Sequence, residues 1–161
     1  MVLGITGHQD IPPTAKKFVE DRIIEVLRSV PGKFIGVSSL ASGADQLFAK
    51  IVVRMGAELH VVIPCAKYES TFTDKRALNR YHRLLERADK VEVLNHNGPS
   101  QSAFLHAGHR VVDLSQMVVA VWDGLNARGK GGTADIVRYA HERAKEVVVV
   151  WPSGVSRHKQ T

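Results

Sequence analysis

Two aspartates, Asp123 and Asp135, stand on either side of the glycine-rich stretch in "DGLNARGKGGTAD", and His8 follows the first apolar run in "LGITGHQD". These residue types suit two kinds of chemistry. A carboxylate held beside a sugar can stabilise developing positive charge or activate water. Small residues ahead of a helix leave free backbone N–H groups and a favourable dipole, which suit an anion. The segment "GKGGTADIV" fits the second use. Glycine weakens helices and loses entropy on folding, so Gly131, Gly132 and Thr133 imply a ligand held close against the backbone. Thr133 can cap a helix while donating to a phosphate.

Two other loops share this character. "TGHQD" presents Thr6, Gly7 and His8, and "SSLASGAD" presents Ser39, Gly43 and Asp45. Each residue also has a plainer use. Gly4 and Gly7 suit a tight turn as well as ligand contact, and Gly43 suits close helix packing. Asp45 suits the helix dipole, and Asp123-Gly124 suits a turn as well as a ribose clamp. His8 is a phosphate or base contact, or a turn residue. Tyr68 and Phe72 in "YESTFTD" either stack on a base or pack their loop. No GK[ST] follows the glycines and no GxGxxG follows the first apolar run, so neither common phosphate-loop fingerprint is present. His106 and His109 share a helical face but lack a third ligand, so no metal is expected, and no cofactor either.

For the three loops to meet, the chain between them must build a sheet. The runs "VLGIT", "FIGVS", "LHVVIP", "VEVL", "MVVAVW" and "VVVVW" alternate with five stretches of helical spacing. The first helix runs from Thr14 through Val19, Ile23, Val26, Leu27 and Val30. The second runs from Ala44 to Met55, with Gly56 as its stop. The others pass through Leu78 to Ala88, through Leu105 to Leu114, and onward from Thr133. Each crossover returns the chain to the same edge, which predicts parallel pairing, and near-continuous apolar strands predict burial on both faces. The expected architecture is one doubly wound, mainly parallel α/β domain of Rossmann-like form over residues 1–152, with 153–161 a flexible tail. Ligands in such a sheet bind outside the carboxyl ends of the strands, where all three loops emerge.

Bulk properties agree with this plan. With 161 residues, 44% of them hydrophobic, the chain supports one core. A net charge of +6 favours anionic partners. No apolar run reaches the roughly 18 residues of a membrane span, and "MVLGITGHQD" lacks the plan of a signal peptide. The single cysteine, Cys65, reads as a packed thiol in a reducing compartment, so a cytoplasmic location is expected.

"GITGHQD", "SSLASGADQLFAKIVVRMGAELHVVIP" and "VVAVWDG…GKGGTADIVRYA" together resemble the SLOG superfamily over nearly the whole chain. That group holds the Lonely-guy phosphoribohydrolases, the DNA-processing protein A family and YpsA-like sensor domains. "SSLASGAD" is similar to the serine-glycine loop of the DNA-processing proteins, and "GGT" to the phosphate-cradling loop of the Lonely-guy enzymes. The resemblance implies a nucleotide-binding fold that is usually dimeric, with the stretch through Leu105 and Val112 against a second copy. The enzymes carry "PGGxGTxxE", whose glutamate acts at the ribose, and an arginine in a "MHxRK"-like helix. Here Ile136 stands at the glutamate position and Gly108 at the arginine position, with Arg110 two residues later. The phosphate half of the pattern is kept and the catalytic half is altered. The expected function is therefore a sensor-type module that binds a nucleotide or nucleotide derivative. A nucleoside 5′-monophosphate phosphoribohydrolase using Asp123 or Asp135 is the alternative. Single-stranded DNA binding ranks below both, because the loops lack a platform of aromatic and arginine side chains.

Overall fold

A computed structural model describes residues 1–126 and 132–156. The elements alternate as β1 (Val2–Gly7), α1 (Pro13–Ser29), β2 (Ile35–Ser38), α2 (Ala44–Arg54), β3 (Glu58–Ile63), α3 (Lys75–Glu86), β4 (Lys90–Val93), α4 (Gln101–Leu114), β5 (Met117–Val121), α5 (Thr133–Glu142) and β6 (Glu146–Val150). Local chemistry sets the helix ends. Pro13 opens α1 with its φ already helical. The Asp74 and Ser100 side chains accept from the N–H groups of Arg76 and Ala103 to cap α3 and α4. Gly56, at φ +73°, stops α2.

All strand pairs are parallel, in the order β4-β3-β2-β1-β5-β6. The chain steps outward from β1 to β4, then crosses back to lay β5 on the other flank of β1. α1, α2 and α3 pack side by side, and α4 packs against α5, the two-layer arrangement that right-handed crossovers in this strand order favour. The reversal falls between β1 and β5, whose register brings Gly7 opposite Val121. A crevice opens there at the carboxyl ends of the strands.

The main core lies under α1 and α2 around Leu3, Ile23, Phe48 and Leu59. Under α4 and α5 the core is thinner, built on Val37, Val62 and Val111 in one part and Val112, Val118, Ile136 and Ala140 in another. Two expectations need correction. β4 is not buried on both faces: Val91 and Val93 are exposed because β4 is an edge strand with little helix over it. Val112 does not face outward for a second copy; it is fully buried beneath the chain's own α5, with Leu105 packed beside it. No helix among the described residues is long and apolar enough to cross a membrane.

Candidate functional site

The first strand ends under tight constraint. A Cβ on Gly7 would lie 2.5 Å from the Ala44 Cβ and 2.8 Å from the Val121 Cβ, so β1 meets α2 and β5 at van der Waals contact. Gly43, at φ +82° and ψ −124°, would bring a Cβ to 2.4 Å from the Gln9 carbonyl oxygen. The Ala44 N–H donates to the His8 carbonyl at 3.1 Å, and the His8 N–H donates to the Val121 carbonyl at 3.1 Å. With the backbone held this way, the His8 ring lies between the loops that follow β1 and β5.

There the imidazole links four segments. Its Nδ1 is 3.3 Å from the Thr133 hydroxyl at the start of α5. Its Nε2 is 3.1 Å from the Asp123 N–H and 3.2 Å from the Asp123 carboxylate, and its ring meets Trp151 edge-on at 5.4 Å. The side chains of His8 and Asp123 are only 5% and 3% exposed. Asp123 also accepts from the Leu125 N–H at 3.0 Å, with Gly124 at φ +84°, so the turn reading of Asp123-Gly124 holds as well.

Beside this cluster lies a cavity of about 410 Å³. His8, Gly132 and Thr133 line one end. Thr6, Gly7, Ser39 and Asp45 lie along it, and Tyr68, Phe72 and Phe104 close the other end. The wall from α4 and α5 carries Gly108 and Ile136. Gly132 caps α5 without a side-chain bond, and the intrahelical bonding begins with the N–H groups of Asp135 and Ile136 on the Gly132 carbonyl. The N–H groups of Thr133 and Ala134 thus head the helix at the cavity, where an anion is favoured.

The far end has a different chemistry. Burial pushes the Asp45 carboxyl up to about 7, against the opposing pull of the Ala41 backbone hydrogen bond. The Tyr68 hydroxyl is held well above its ordinary value, first by burial and then by the charge of Asp45. Tyr68 meets Phe72 edge-to-face at 5.4 Å and the buried Tyr81 at 5.6 Å, so these rings pack the loop, and Tyr68 and Phe72 also line the cavity. Burial also raises the Cys65 thiol, which is enclosed beneath this cluster.

Seven of the expected contacts therefore share one cavity: Thr6, Gly7, His8, Ser39, Asp45, Gly132 and Thr133. Gly43 stands behind it as the backbone junction, and Gly131 lies outside the described residues. Asp123 sits behind His8. Asp135 is not on the cavity; its carboxylate pairs with Arg138 at 3.4 Å on the same helix. His106 and His109 part ways, His106 bonding to His96 at 2.9 Å and His109 stacking on Tyr139 at 3.8 Å. No group of three metal-binding side chains occurs among the described residues. Ser42, Thr71 and Phe104 line the cavity without having been singled out in the sequence. Ser42 sits in the already suspect "SSLASGAD", whereas Phe104 is placed only by the crossing of α4.

No protein-family model matches the sequence, and no curated protein matches it. Solved structures do. DNA processing protein A from Streptococcus pneumoniae superposes with a TM-score of 0.66 at 18% identity, covering 91% of this chain and 49% of that one. DNA processing protein A from Helicobacter pylori, described for its single-stranded DNA binding, gives 0.70 at 17% identity over 92% of this chain and 64% of that one. The molybdenum cofactor carrier protein of Chlamydomonas reinhardtii gives 0.57 at 16% identity over 92% and 74%. The chain thus spans about half the length of the first and under two thirds of the second. Its architecture is the Rossmann-like α/β fold that these structures share.

Proposed function

We propose that the chain is a SLOG-type binding module that holds a nucleotide or nucleotide derivative along the cavity and leaves its glycosidic bond intact. The phosphate lies at the head of α5, against the Thr133 hydroxyl and the N–H groups of Thr133 and Ala134. The nucleoside runs past Ser39 toward Asp45 and the ring cluster of Tyr68 and Phe72. No metal or cofactor enters this reading.

One observation carries it. The cavity wall at Ile136 and Gly108, where the resemblance to the Lonely-guy enzymes calls for glutamate and arginine, is apolar and closely packed. Cleaving an N-glycosidic bond needs a carboxylate at the ribose, and Asp135 is turned to Arg138 while Asp123 is engaged with His8. Removing a positioned charge from a reaction centre commonly lowers the rate by about 100-fold or more. Phosphate binding at α5 does not depend on that charge.

Mass spectrometry of small molecules released from the purified protein, then incubation with AMP, GMP, CMP and UMP, tests the reading. An intact nucleotide and no free base are expected. Steady release of base, abolished by Asp123→Asn, would instead make the protein a phosphoribohydrolase. A second reading draws support from the likeness to DNA processing protein A, and predicts tight, salt-sensitive binding of single-stranded DNA in place of nucleotide. Two-fold association belongs to the leading reading, and sedimentation that finds only monomer counts against it.

A further inference from the structure

The end of the cavity away from α5 holds a carboxyl group that phosphate binding does not explain. Asp45 is the one acidic side chain among the described residues that line the cavity, and no lysine or arginine is among them. A carboxylate in a space that receives an anion works against it, unless the carboxylate has donors of its own to meet. Its place in the first turn of α2 suits the helix dipole, but that role needs no burial, and burial here disfavours the charged form. Near it stands the Tyr68 hydroxyl. Tyr68 is 4% exposed, and its hydroxyl forms no hydrogen bond with the described residues. No buried side-chain oxygen among them is sealed off without a partner, so this one opens into the cavity that Tyr68 lines. The charge of Asp45 helps to keep that hydroxyl protonated, which places the two groups within electrostatic reach and leaves the hydroxyl a donor. The neighbouring polar groups are already engaged. The Thr71 hydroxyl donates to the Tyr68 carbonyl at 2.8 Å, and Gln46 donates to the Leu40 and Ala77 carbonyls and accepts from Arg80.

A ligand edge that answers this pair has two adjacent N–H donors for the carboxylate and a flanking acceptor for the hydroxyl. Among the four common nucleobases guanine alone offers it, with N1–H beside the 2-amino group and O6 next to N1. Adenine and cytosine set a ring-nitrogen lone pair beside their one amino group, and uracil flanks its N3–H with two carbonyl oxygens. Each of these turns a lone pair toward a carboxylate oxygen. Phe72 and Phe104 add apolar surface for a flat ring, and the cavity of about 410 Å³ is of small-ligand size. We propose that Asp45 and Tyr68 read the 2-amino-4-oxopyrimidine edge of the ligand, the edge that guanine carries. The proposal rests on the reading of this cavity as a nucleotide site and narrows it to guanine nucleotides. A pterin has the same edge and is the other source of this chemistry. The two charge-assisted hydrogen bonds favour the ionised carboxylate that burial alone opposes.

Calorimetric titration of the wild type with GMP, IMP, AMP, CMP, UMP and free pterin, at pH 8 where the Asp45 carboxyl is mostly ionised, tests this without any variant. GMP should bind tightest. IMP, which lacks the 2-amino group, should bind about tenfold more weakly, and AMP, CMP and UMP about 100-fold or more. Tyr68→Phe should weaken GMP about fivefold by removing the donor to O6. Asp45→Asn replaces one acceptor with a donor, which matches xanthine, whose O2 stands where guanine has its amino group. The variant should lose about tenfold or more in GMP affinity and prefer XMP, a switch that a merely structural role for Asp45 does not produce. Nucleotides that bind alike or in another order, a GMP preference that survives Asp45→Asn, or GMP affinity unchanged in Tyr68→Phe overturns the reader while the nucleotide reading stands. Pterin bound with no nucleotide keeps the reader and removes the nucleotide reading. Binding of none of the probes overturns both.

Discussion

Ile136 fills the space that a side chain at Gly108 would need. A Cβ at Gly108 would lie 2.3 Å from Ile136 Cδ1 and 2.8 Å from Cγ1. The two residues come from different helices, meet on the cavity wall, and are the two positions at which the resemblance expects an arginine and a glutamate. A charged pair across this gap would have to overcome the desolvation of both groups. Here one partner is a branched aliphatic side chain, 2% exposed, and the other has no side chain at all. The two departures are one packing solution.

This interlock predicts a change of sign. Gly108 lies inside α4, where alanine is intrinsically better than glycine by about 1 kcal/mol. Beside Ile136, however, Gly108→Ala overpacks a buried contact and should destabilise by about 1 kcal/mol net, after an overpacking penalty of about 1–3 kcal/mol. In an Ile136→Ala background, itself less stable by about 2–5 kcal/mol, the same substitution should stabilise. Urea unfolding of the four proteins gives the coupling. Effects that add within about 0.5 kcal/mol would show that the contact carries no strain.

Gly43 and Gly56 make a second paired test. Both have positive φ, but Gly56 has open space around its missing Cβ, whereas Gly43 faces the carbonyls of His8 and Gln9. Gly56→Ala should lose about 1 kcal/mol from backbone strain alone. Gly43→Ala should lose more than about 2 kcal/mol, since backbone cannot step aside, and should weaken phosphate binding as well by displacing His8. Equal losses at the two sites would mean that the junction of α2 with the first loop is soft.

The order of elements was legible because burial writes its period into the sequence, as in Val19, Ile23 and Val26 or in "MVVAV". Alternation of strand and helix then placed "TGHQD", "SSLASGAD" and the glycine stretch along one edge without any knowledge of strand order. The order itself carries no local signal. It decides that α4 crosses the reversal point, and so brings Phe104 and Gly108 onto the cavity. It also leaves Val91 and Val93 on an edge although their run looked like a buried strand. Helical spacing placed His106 and His109 on one face, but their partners, His96 and Tyr139, belong to other segments. Asp135 could not be told from Asp123 by type, because what separates them is a partner on its own helix against a histidine far away in the chain.

Asp45 should make the fold less stable as pH rises. Its carboxyl is raised in the folded state from 3.8 to about 7, while the unfolded chain ionises near the ordinary value. Between about pH 4 and pH 7 the folded protein therefore binds a proton that the unfolded chain does not, and stability falls with pH by up to about 1.4 kcal/mol per unit. The stabilising contribution is fully present below about pH 4, is lost through pH 7, and changes no further above it. About 4 kcal/mol is the ceiling for the whole interval, since the side chain keeps some contact with water that screens its charge. Asp45→Asn removes the titration while keeping nearly the same shape, and other groups cancel in the comparison with wild type. The variant's stability relative to wild type should rise from pH 5 to pH 8, leaving it the more stable protein by a few kcal/mol at the higher pH. Urea melts at the two pH values measure this. An unchanged difference would show that the carboxyl ionises in the folded state as it does in water, and that the far end of the cavity is wet rather than closed.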